Sequence, residues 1–207
     1  YDRLVGSEMC IRDRYLPKMV RGEIITAIAM TEPGTGSDLQ NIKTKATVKE
    51  NNIILNGSKT FITNGQNANL VLVVAKTDST KKAKGISIVL CEDYREGFEK
   101  GKNLKKIGMQ AQDTSELFFH DVELPIENIL GQSGQGFGQL MDELPQERLS
   151  IAVTAIAAAE SALNWTISYT KERTAFNTKI IDFQNTKFTL AKLKSELSVA
   201  RAYIDLS

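Results

Sequence analysis

The sequence predicts an α+β fold, with an antiparallel β sandwich or barrel followed by an incomplete helical bundle. In residues 23–130, short apolar or alternating segments are separated by turn signals, and no helical pattern lies between them. That spacing favours an antiparallel sandwich or barrel over a βαβ fold. After Gly138 the apolar residues recur at a period of about 3.5, which is typical of long helices in an antiparallel bundle.

The first fourteen residues, 1–14, have no clear hydrophobic period and resemble neither a signal peptide nor a capped helix. We expect this stretch to be a non-native leader that is dispensable and poorly ordered. Residues 15–20 then have the pattern of a helix end that stops at Gly22.

The β region is predicted to contain several short strands. These are residues 24–30, 43–49, 53–55, 59–63, 70–75, 85–90 and 116–121. Asn51-Asn52 and Asn56-Gly57 are predicted turns. Because His120 is the only histidine, a multi-histidine metal site is excluded. His120 itself is interpreted as an ordinary strand residue. The glycine-rich residues 97–103 and 134–138 are also predicted turns, because they lack the spacing of a P-loop or a dinucleotide fingerprint.

Two long helices are predicted in the last part of the chain. Their apolar stripes consist of Leu149, Val153, Ile156, Leu163 and Ile167, and of Leu190, Leu193, Leu197, Ala200 and Ile204. Two such helices cannot bury both of their faces by themselves, so the bundle is predicted to be incomplete.

The composition of the 207 residues excludes several classes of protein. Lys and Arg number 26 against 25 Asp and Glu, so the net charge of +1 gives no electrostatic case for nucleic acid or an anionic membrane as the main partner. The longest apolar runs have strand length, which predicts no membrane span. The two cysteines form neither a metal cluster nor a disulfide framework. They favour a reducing compartment. This would be the cytoplasm if the protein is bacterial and the mitochondrial matrix if it is eukaryotic.

One loop has a composition suited to ligand binding. The first predicted strand runs directly into Thr31-Glu32-Pro33-Gly34-Thr35-Gly36-Ser37-Asp38. Pro33 fixes φ, while Gly34 and Gly36 permit turns that leave backbone N–H groups free and close to a ligand. Such a loop suits a planar cofactor or its phosphates, although the composition alone favours a plain loop.

Four separated strings together resemble the acyl-CoA dehydrogenase family, and its long-chain type in particular, over residues 15–205. They are the loop above, Phe61-Ile62-Thr63-Asn64-Gly65, Gly108-Met109-Gln110-Ala111-Gln112-Asp113-Thr114 and Glu143-Leu144-Pro145-Gln146-Glu147-Arg148-Leu149. The family has an N-terminal helical domain, a middle β domain and a C-terminal four-helix bundle. The resemblance assigns residues 15–22 to the end of the first domain, 23–136 to the middle domain and 137–207 to the first part of the third.

The resemblance also implies FAD as the cofactor and acyl-CoA as the substrate, with no metal. The residues it places against FAD are Ile28, Ala29, Met30, Thr31, Glu32, Pro33, Gly34, Thr35, Gly36, Ser37, Phe61, Ile62 and Thr63, with Arg173 and Gln184 reaching the FAD of a neighbouring subunit. The residues it places against the substrate are Ser37, Ala83, Lys84, Pro145, Gln146 and Arg148. Without the resemblance, Arg173 would be interpreted as a solvated helix end.

Glu147 is implied to be the catalytic base. Removing the α-proton of a thioester needs a carboxylate in a dry pocket that raises its pKa toward neutrality. Pro145 is predicted to interrupt the helix and so turn Glu147 toward the pocket. Most of the family has its base on a later helix, whereas the long-chain and isovaleryl types have it at this position. The alternative is an exposed helix glutamate beside Arg148.

The implied activity is FAD-dependent α,β-dehydrogenation of a fatty acyl-CoA to trans-2-enoyl-CoA, as in fatty acid β-oxidation. Electron-transferring flavoprotein is the implied electron acceptor, and the implied assembly is a homotetramer. The alternatives are an isovaleryl-CoA or other branched-chain dehydrogenase, an acyl-CoA oxidase and a non-catalytic flavin-binding relative. We expect this chain by itself to be inactive and to bind FAD weakly, because half of the bundle is absent.

Overall fold

The computed structural model describes residues 7–207, which divide after Leu140 into two compact units. The first unit contains α1 (Ser7–Val20), β1 (Thr26–Ala29), β2 (Lys45–Lys49), β3 (Asn52–Thr63), β4 (Leu70–Lys76), β5 (Ile86–Glu92), β6 (Phe98–Asn103), β7 (Thr114–Pro125) and the beginning of α2 (Gly136–Glu172). The second unit contains the rest of α2, a small hairpin of β8 (Thr174–Ala175) and β9 (Thr178–Lys179), and α3 (Gln184–Asp205).

The first unit is built on one curled, mixed sheet of seven strands in the order β1-β4-β2-β3-β7-β6, with β5 paired to β4. Most pairs are antiparallel, but β4 runs parallel to β1 and to the first residue of β2. The parallel pairs arise because the chain passes through the β2–β3 hairpin before β4 returns beside β1. The predicted α+β class is therefore confirmed, and the sheet is a mixed half-barrel rather than a purely antiparallel one.

The predicted turn at Asn56-Gly57 is wrong, because β3 continues through it. Both halves of β3 pair with β7, from Asn52↔Pro125 to Thr63↔Thr114, and the register shifts between Leu55 and Gly57. The extra residue of this β-bulge lies on β7, where Asp121 has a φ of 50°, and Gly57 on β3 has a φ of 149°. Long-range pairing with β7 thus overrides the local turn signal.

The two glycine-rich segments that were predicted as turns contain regular structure. Gly97 does turn, with φ at 80°, but Phe98–Asn103 then form the edge strand β6. The Phe98 ring stacks on Phe119 at 5.1 Å, which anchors that strand. Helix α2 begins at Gly136, inside the second predicted turn. A Cβ at Gly136 would lie 2.7 Å from the Ser87 Cα, so only glycine permits this approach.

Helix α1 begins at Ser7, earlier than expected, and ends at Val20. No helix was predicted in residues 7–14, but Ile11 and Tyr15 lie one turn apart and pack together with Leu70 and Leu90 of the sheet. The Tyr15 hydroxyl also donates a 2.6 Å hydrogen bond to Glu92. Residues 1–6 lie outside the described part of the chain, and the non-native origin of residues 1–14 stays a prediction.

In the second unit, α2 and α3 form an antiparallel pair. Leu163 and Leu190 are buried between them, and Arg201 of α3 forms an ion pair with Glu160 of α2. Much of the remaining apolar surface is open, with Trp165 and Val199 exposed by more than 70%. None of the described helices is long and apolar enough to cross a membrane.

Candidate functional site

A cavity of about 410 Å³ opens between β1, with the loop that follows it, and the end of β3. Its volume lies within the range of roughly 300–1,000 Å³ that is usual for small-molecule sites. Its lining consists of Thr26, Ala27, Ile28, Met30, Thr31, Phe61, Ile62, Thr63, Asn64 and Leu72. The structure therefore brings together two of the sequence strings that were predicted to bind one ligand.

The wall formed by β3 is shaped by a second bulge. The pairing of β3 with β7 shifts register between Lys59 and Ile62. Phe61, within this bulge, has a φ of 59°, which is uncommon for an aromatic residue. Its ring lines the cavity and is 66% exposed. The bulge thus presents an aromatic face to the cavity, while the side chain of its neighbour Ile62 is buried in the core.

The opposite wall leads into a tight loop. Glu32 and Thr35 exchange backbone hydrogen bonds of 2.9 and 3.0 Å, so the chain folds back across Pro33 and Gly34. No atom lies within 4 Å of a Cβ built at Gly34 or Gly36. Within the described residues, the N–H groups of these two glycines make no hydrogen bond. They are donors available to a ligand, as the loop composition predicted.

The stretch Ile28–Ser37 does not line the cavity as one strip. Ile28, Met30 and Thr31 face it, but the side chains of Ala29 and Glu32 are buried. The separation follows from strand alternation, which sends every second side chain of β1 into the core. Pro33, Gly34, Gly36 and Ser37 lie on the exposed loop, and Thr35 is buried with its hydroxyl donating to the Asn41 carbonyl at 3.3 Å.

Beneath the cavity lies an ion pair that sequence reasoning missed. Lys59 is fully buried, and its Nζ lies 2.9 Å from Glu32 Oε1 and 2.9 Å from the Met30 carbonyl oxygen. A lysine and a glutamate in strand-and-loop sequence are normally expected at the surface. One signal could have indicated its burial: Lys59 follows the same alternation along β3 as the inward-facing Ile53 and Leu55.

The buried pair shows opposing electrostatic effects. Burial lowers the pKa of Lys59 to about 8, even though the charge of Glu32 and its hydrogen bond favour the ammonium form. Burial alone would raise the pKa of Glu32. Hydrogen bonds from Thr44 and Lys43, together with the charge of Lys59, outweigh that effect and hold the pKa below its usual value. At neutral pH the two groups therefore form a charged pair.

The residues predicted to contact substrate lie in several places. Ala83 and Lys84 belong to a one-turn helix that precedes β5, and Lys84 is exposed. Ser37 is exposed on the loop after β1. Within the first unit, none of these three is part of the cavity lining.

The other predicted residues lie in the second unit. Pro145, Gln146, Glu147 and Arg148 are exposed on α2. The prediction that Pro145 interrupts this helix is wrong, since α2 continues to Glu172. Proline removes one backbone N–H bond near the beginning of the helix, and the later turns keep theirs. The orientation of Glu147 is thus set by the helix and not by a break.

Arg173 and Gln184 lie at the two ends of the α2–α3 connection. Arg173 directly follows α2, and its backbone N–H bonds to the Tyr169 carbonyl at 2.9 Å. Gln184 is the first residue of α3, and both side chains are exposed. Their role toward a neighbouring subunit stays a prediction. Among the described residues, no group of three or more His, Cys, Asp or Glu side chains is arranged to hold a metal ion.

Comparison with known proteins identifies both parts of the chain. Residues 27–122 match the model of the acyl-CoA dehydrogenase middle domain, and residues 134–205 match that of the acyl-CoA dehydrogenase C-terminal domain. The mitochondrial long-chain specific acyl-CoA dehydrogenase of Mus musculus is 49% identical over 195 residues, which cover 93% of this chain and 45% of that protein. The mitochondrial isovaleryl-CoA dehydrogenase of Pongo abelii is 40% identical, with 93% and 46% covered.

A solved structure gives the same relationship. The acyl-CoA dehydrogenase from Geobacillus kaustophilus superposes with a TM-score of 0.91 at 48% identity, covering 94% of this chain and 52% of that one. The chain spans about half the length of the relatives that it matches. Two domain matches in family order, supported by these identities, show that the chain belongs to the acyl-CoA dehydrogenase family.

Proposed function

We propose that the cavity between β1 and the end of β3 binds FAD, and that the protein oxidises a fatty acyl-CoA to trans-2-enoyl-CoA. The observation that carries this proposal is the meeting of Ile28–Thr31 with Phe61–Thr63 around one cavity. The residues present suit the cofactor. An aromatic face, an apolar floor, two threonine hydroxyls and free backbone donors provide what a planar ring with polar edges requires.

Each group in the cavity has a distinct role in this proposal. Phe61 packs on the flat ring system, and Ile28, Met30 and Leu72 exclude water from it. The hydroxyls of Thr31 and Thr63 orient its polar edge. FAD, when bound, would supply the acceptor for the hydride that leaves the substrate β-carbon.

We assign Glu147 as the base that removes the α-proton. Its carboxylate oxygen accepts that proton while the β-hydride leaves, and a carbon–carbon double bond forms between the two carbons. A base for so weak an acid needs a dry setting. The side chain is exposed within this chain, so the proposal requires that other segments or the substrate cover it in the whole protein.

The preferred substrate class is a long-chain acyl-CoA. Greater identity to the long-chain enzyme, 49% against 40% for the isovaleryl enzyme, supports this choice. We further propose that an electron-transferring flavoprotein takes up the electrons and that the active protein is a homotetramer. Arg173 and Gln184 of one subunit would then contact FAD of the next, in a cytoplasm or a mitochondrial matrix.

An anaerobic titration tests the proposal in a version of the protein extended to the length of its relatives. The protein should bind FAD, and a long straight-chain acyl-CoA should bleach the flavin absorbance with one equivalent per site. Failure to bind FAD would refute the cofactor assignment. Bound flavin that stays oxidised with every acyl-CoA would indicate a non-catalytic relative. Preference for a branched chain would indicate the isovaleryl type, and rapid reoxidation by oxygen would indicate an oxidase.

A further inference from the structure

The two walls of the cavity are joined beneath it by a single buried cation. The Lys59 ammonium donates to the Met30 carbonyl oxygen and to Glu32 Oε1, each at 2.9 Å. Met30 belongs to the wall formed by β1, and Lys59 precedes the Phe61 bulge of the opposite wall by two residues. The side chain of Lys59 is 0% exposed and that of Glu32 is 5% exposed. One side chain of β3 therefore holds the backbone of the other wall in place.

Glu32 extends this connection to a third segment. Its Oε2 accepts a 2.6 Å hydrogen bond from the Lys43 N–H, and its Oε1 accepts one of 2.9 Å from the Thr44 N–H. The backbone also bridges the two walls directly, where the Thr60 N–H donates to the Thr31 carbonyl at 2.9 Å. The carboxylate thus accepts hydrogen bonds from every partner, and it ties the loop after β1 to the segment directly before β2.

Stability alone does not account for this pair. Removing two charges from water costs about as much as their attraction returns, and apolar residues of similar volume often stabilise a core equally well or better. What a hydrogen-bonded ion pair adds is geometric specificity, because its donors and acceptors must meet at a narrow range of distances and angles. The pair stands where two strands must present their residues to one ligand.

We propose that Lys59 and Glu32 are positioning residues that set the separation and register of the two walls of the cofactor cavity. This inference rests on the proposed function, since the ligand being positioned is FAD. Neither side chain is part of the cavity lining, so both act through Met30, Thr31 and Phe61. The lowered pKa of the buried ammonium, about 8, fits a group that is retained for its hydrogen bonds at a cost in solvation.

The test uses two variants of the pair, the single variant Glu32→Gln and a double variant that combines Lys59→Met and Glu32→Gln. The control is Ile53→Ala. In Glu32→Gln the introduced amide places an NH₂ group against one of three donors, because Lys59, Lys43 and Thr44 all donate to the carboxylate. The double variant removes the ion pair while keeping the volume. Ile53 is a fully buried residue near the other end of β3, roughly 20 Å away at about 3.3 Å per residue. Its truncation lowers stability without touching the cavity.

Two readouts are used, both in the protein extended to the length of its relatives. Without FAD, hydrogen exchange at the Thr60 amide should accelerate at least about ten-fold in the double variant and less in Glu32→Gln. With FAD, the dissociation constant should rise by about ten-fold or more, as expected when site hydrogen bonds are misaligned. Ile53→Ala should lower the melting temperature and leave both quantities unchanged at temperatures well below it.

The possible results separate the two claims. Unchanged exchange at Thr60 together with unchanged FAD affinity in the double variant would overturn the positioning role. The same pair of results in Glu32→Gln would overturn it if the double variant does not fold. An equal loss of FAD affinity in Ile53→Ala would also overturn it, because general destabilisation would then explain the effect. If the unaltered protein binds no FAD, the proposed function fails, and the exchange measurement still decides whether the pair holds the walls together.

Discussion

Replacing Gly57 by alanine would test whether β3 needs a glycine to run past the bulge of β7. Gly57 has a φ of 149°, a conformation that residues with a side chain rarely adopt. A Cβ built there would lie 2.5 Å from Thr44 Oγ1 and 2.7 Å from the Thr44 Cα. The second contact is with the backbone of the residue directly before β2, the strand that is paired with β3. Neither partner can move away without breaking the pairing.

The expected loss of stability follows from two contributions. Backbone strain at such a position costs about 1–3 kcal/mol, and forcing an extra methyl group into a packed site costs about 1–3 kcal/mol more. We therefore expect Gly57→Ala to lower the free energy of unfolding by roughly 2–6 kcal/mol. For a chain of this size that corresponds to a fall in melting temperature of roughly 4–24 °C.

The assay is urea unfolding followed by the strand signal in circular dichroism, with Gly138→Ala as the matched control. Gly138 is exposed near the beginning of α2, and a Cβ there would contact nothing within 4 Å. The same chemical change should therefore stabilise the protein by about 0.5–1 kcal/mol, since alanine favours the helix. A loss of less than about 1 kcal/mol in Gly57→Ala would contradict both the backbone strain at Gly57 and the close approach of Thr44.

Three further predictions concern the base, the buried pair and the amino-terminal stretch. In the extended protein, Glu147→Gln should slow anaerobic flavin reduction by about 10²–10⁴-fold while FAD and acyl-CoA still bind. The comparison variant Arg148→Ala should weaken binding more than it slows reduction. Near-normal flavin reduction in Glu147→Gln would place the base elsewhere. Because burial lowers the pKa of Lys59 from 10.5 to about 8, the unfolded chain binds more protons between those pH values. The free energy of unfolding should accordingly rise from pH 8 to 10 relative to the variant Lys59→Met with Glu32→Gln, and parallel denaturation curves would refute this. Deleting residues 1–14 should leave the sheet folded, at a cost of about 1.5–3 kcal/mol for the lost Ile11 side chain; collapse of the sheet in thermal melting would contradict it.

The local hydrophobic pattern was sufficient to predict most of the strands and helices. The strands β2, β4, β5 and β7 and the helices α2 and α3 overlap the predicted segments, with shifted ends. Each of these elements has its own hydrophobic period, and period depends only on residues close together in sequence. The loop that follows β1 was recognised for the same reason, because proline and glycine restrict or release the backbone wherever they occur.

Long-range pairing decided the elements that local pattern missed. Asn56-Gly57 is a strong turn signal, but the pairing of β3 with β7 runs past it on both sides. Phe98–Asn103 have little strand character, and they become β6 because β7 offers an open edge and Phe119 offers a ring to stack on. These outcomes depend on a partner strand that the local sequence does not contain.

The features of the candidate site also divide into those that local sequence determines and those that strand pairing decides. The sequence by itself determined which strings carry the chemistry, since the residues of the loop after β1, of Phe61–Thr63 and around Glu147 can be recognised by type and order. Only the tertiary structure decided that Ile28, Met30 and Thr31 face Phe61 across a cavity while Ala29 and Glu32 point inward. It also decided that Lys59, separated from Glu32 by 27 positions in sequence, is buried against it. The reason is physical: whether a charged side chain lies in water or in the core depends on which partner satisfies it, and that partner is brought near only when the strands pair.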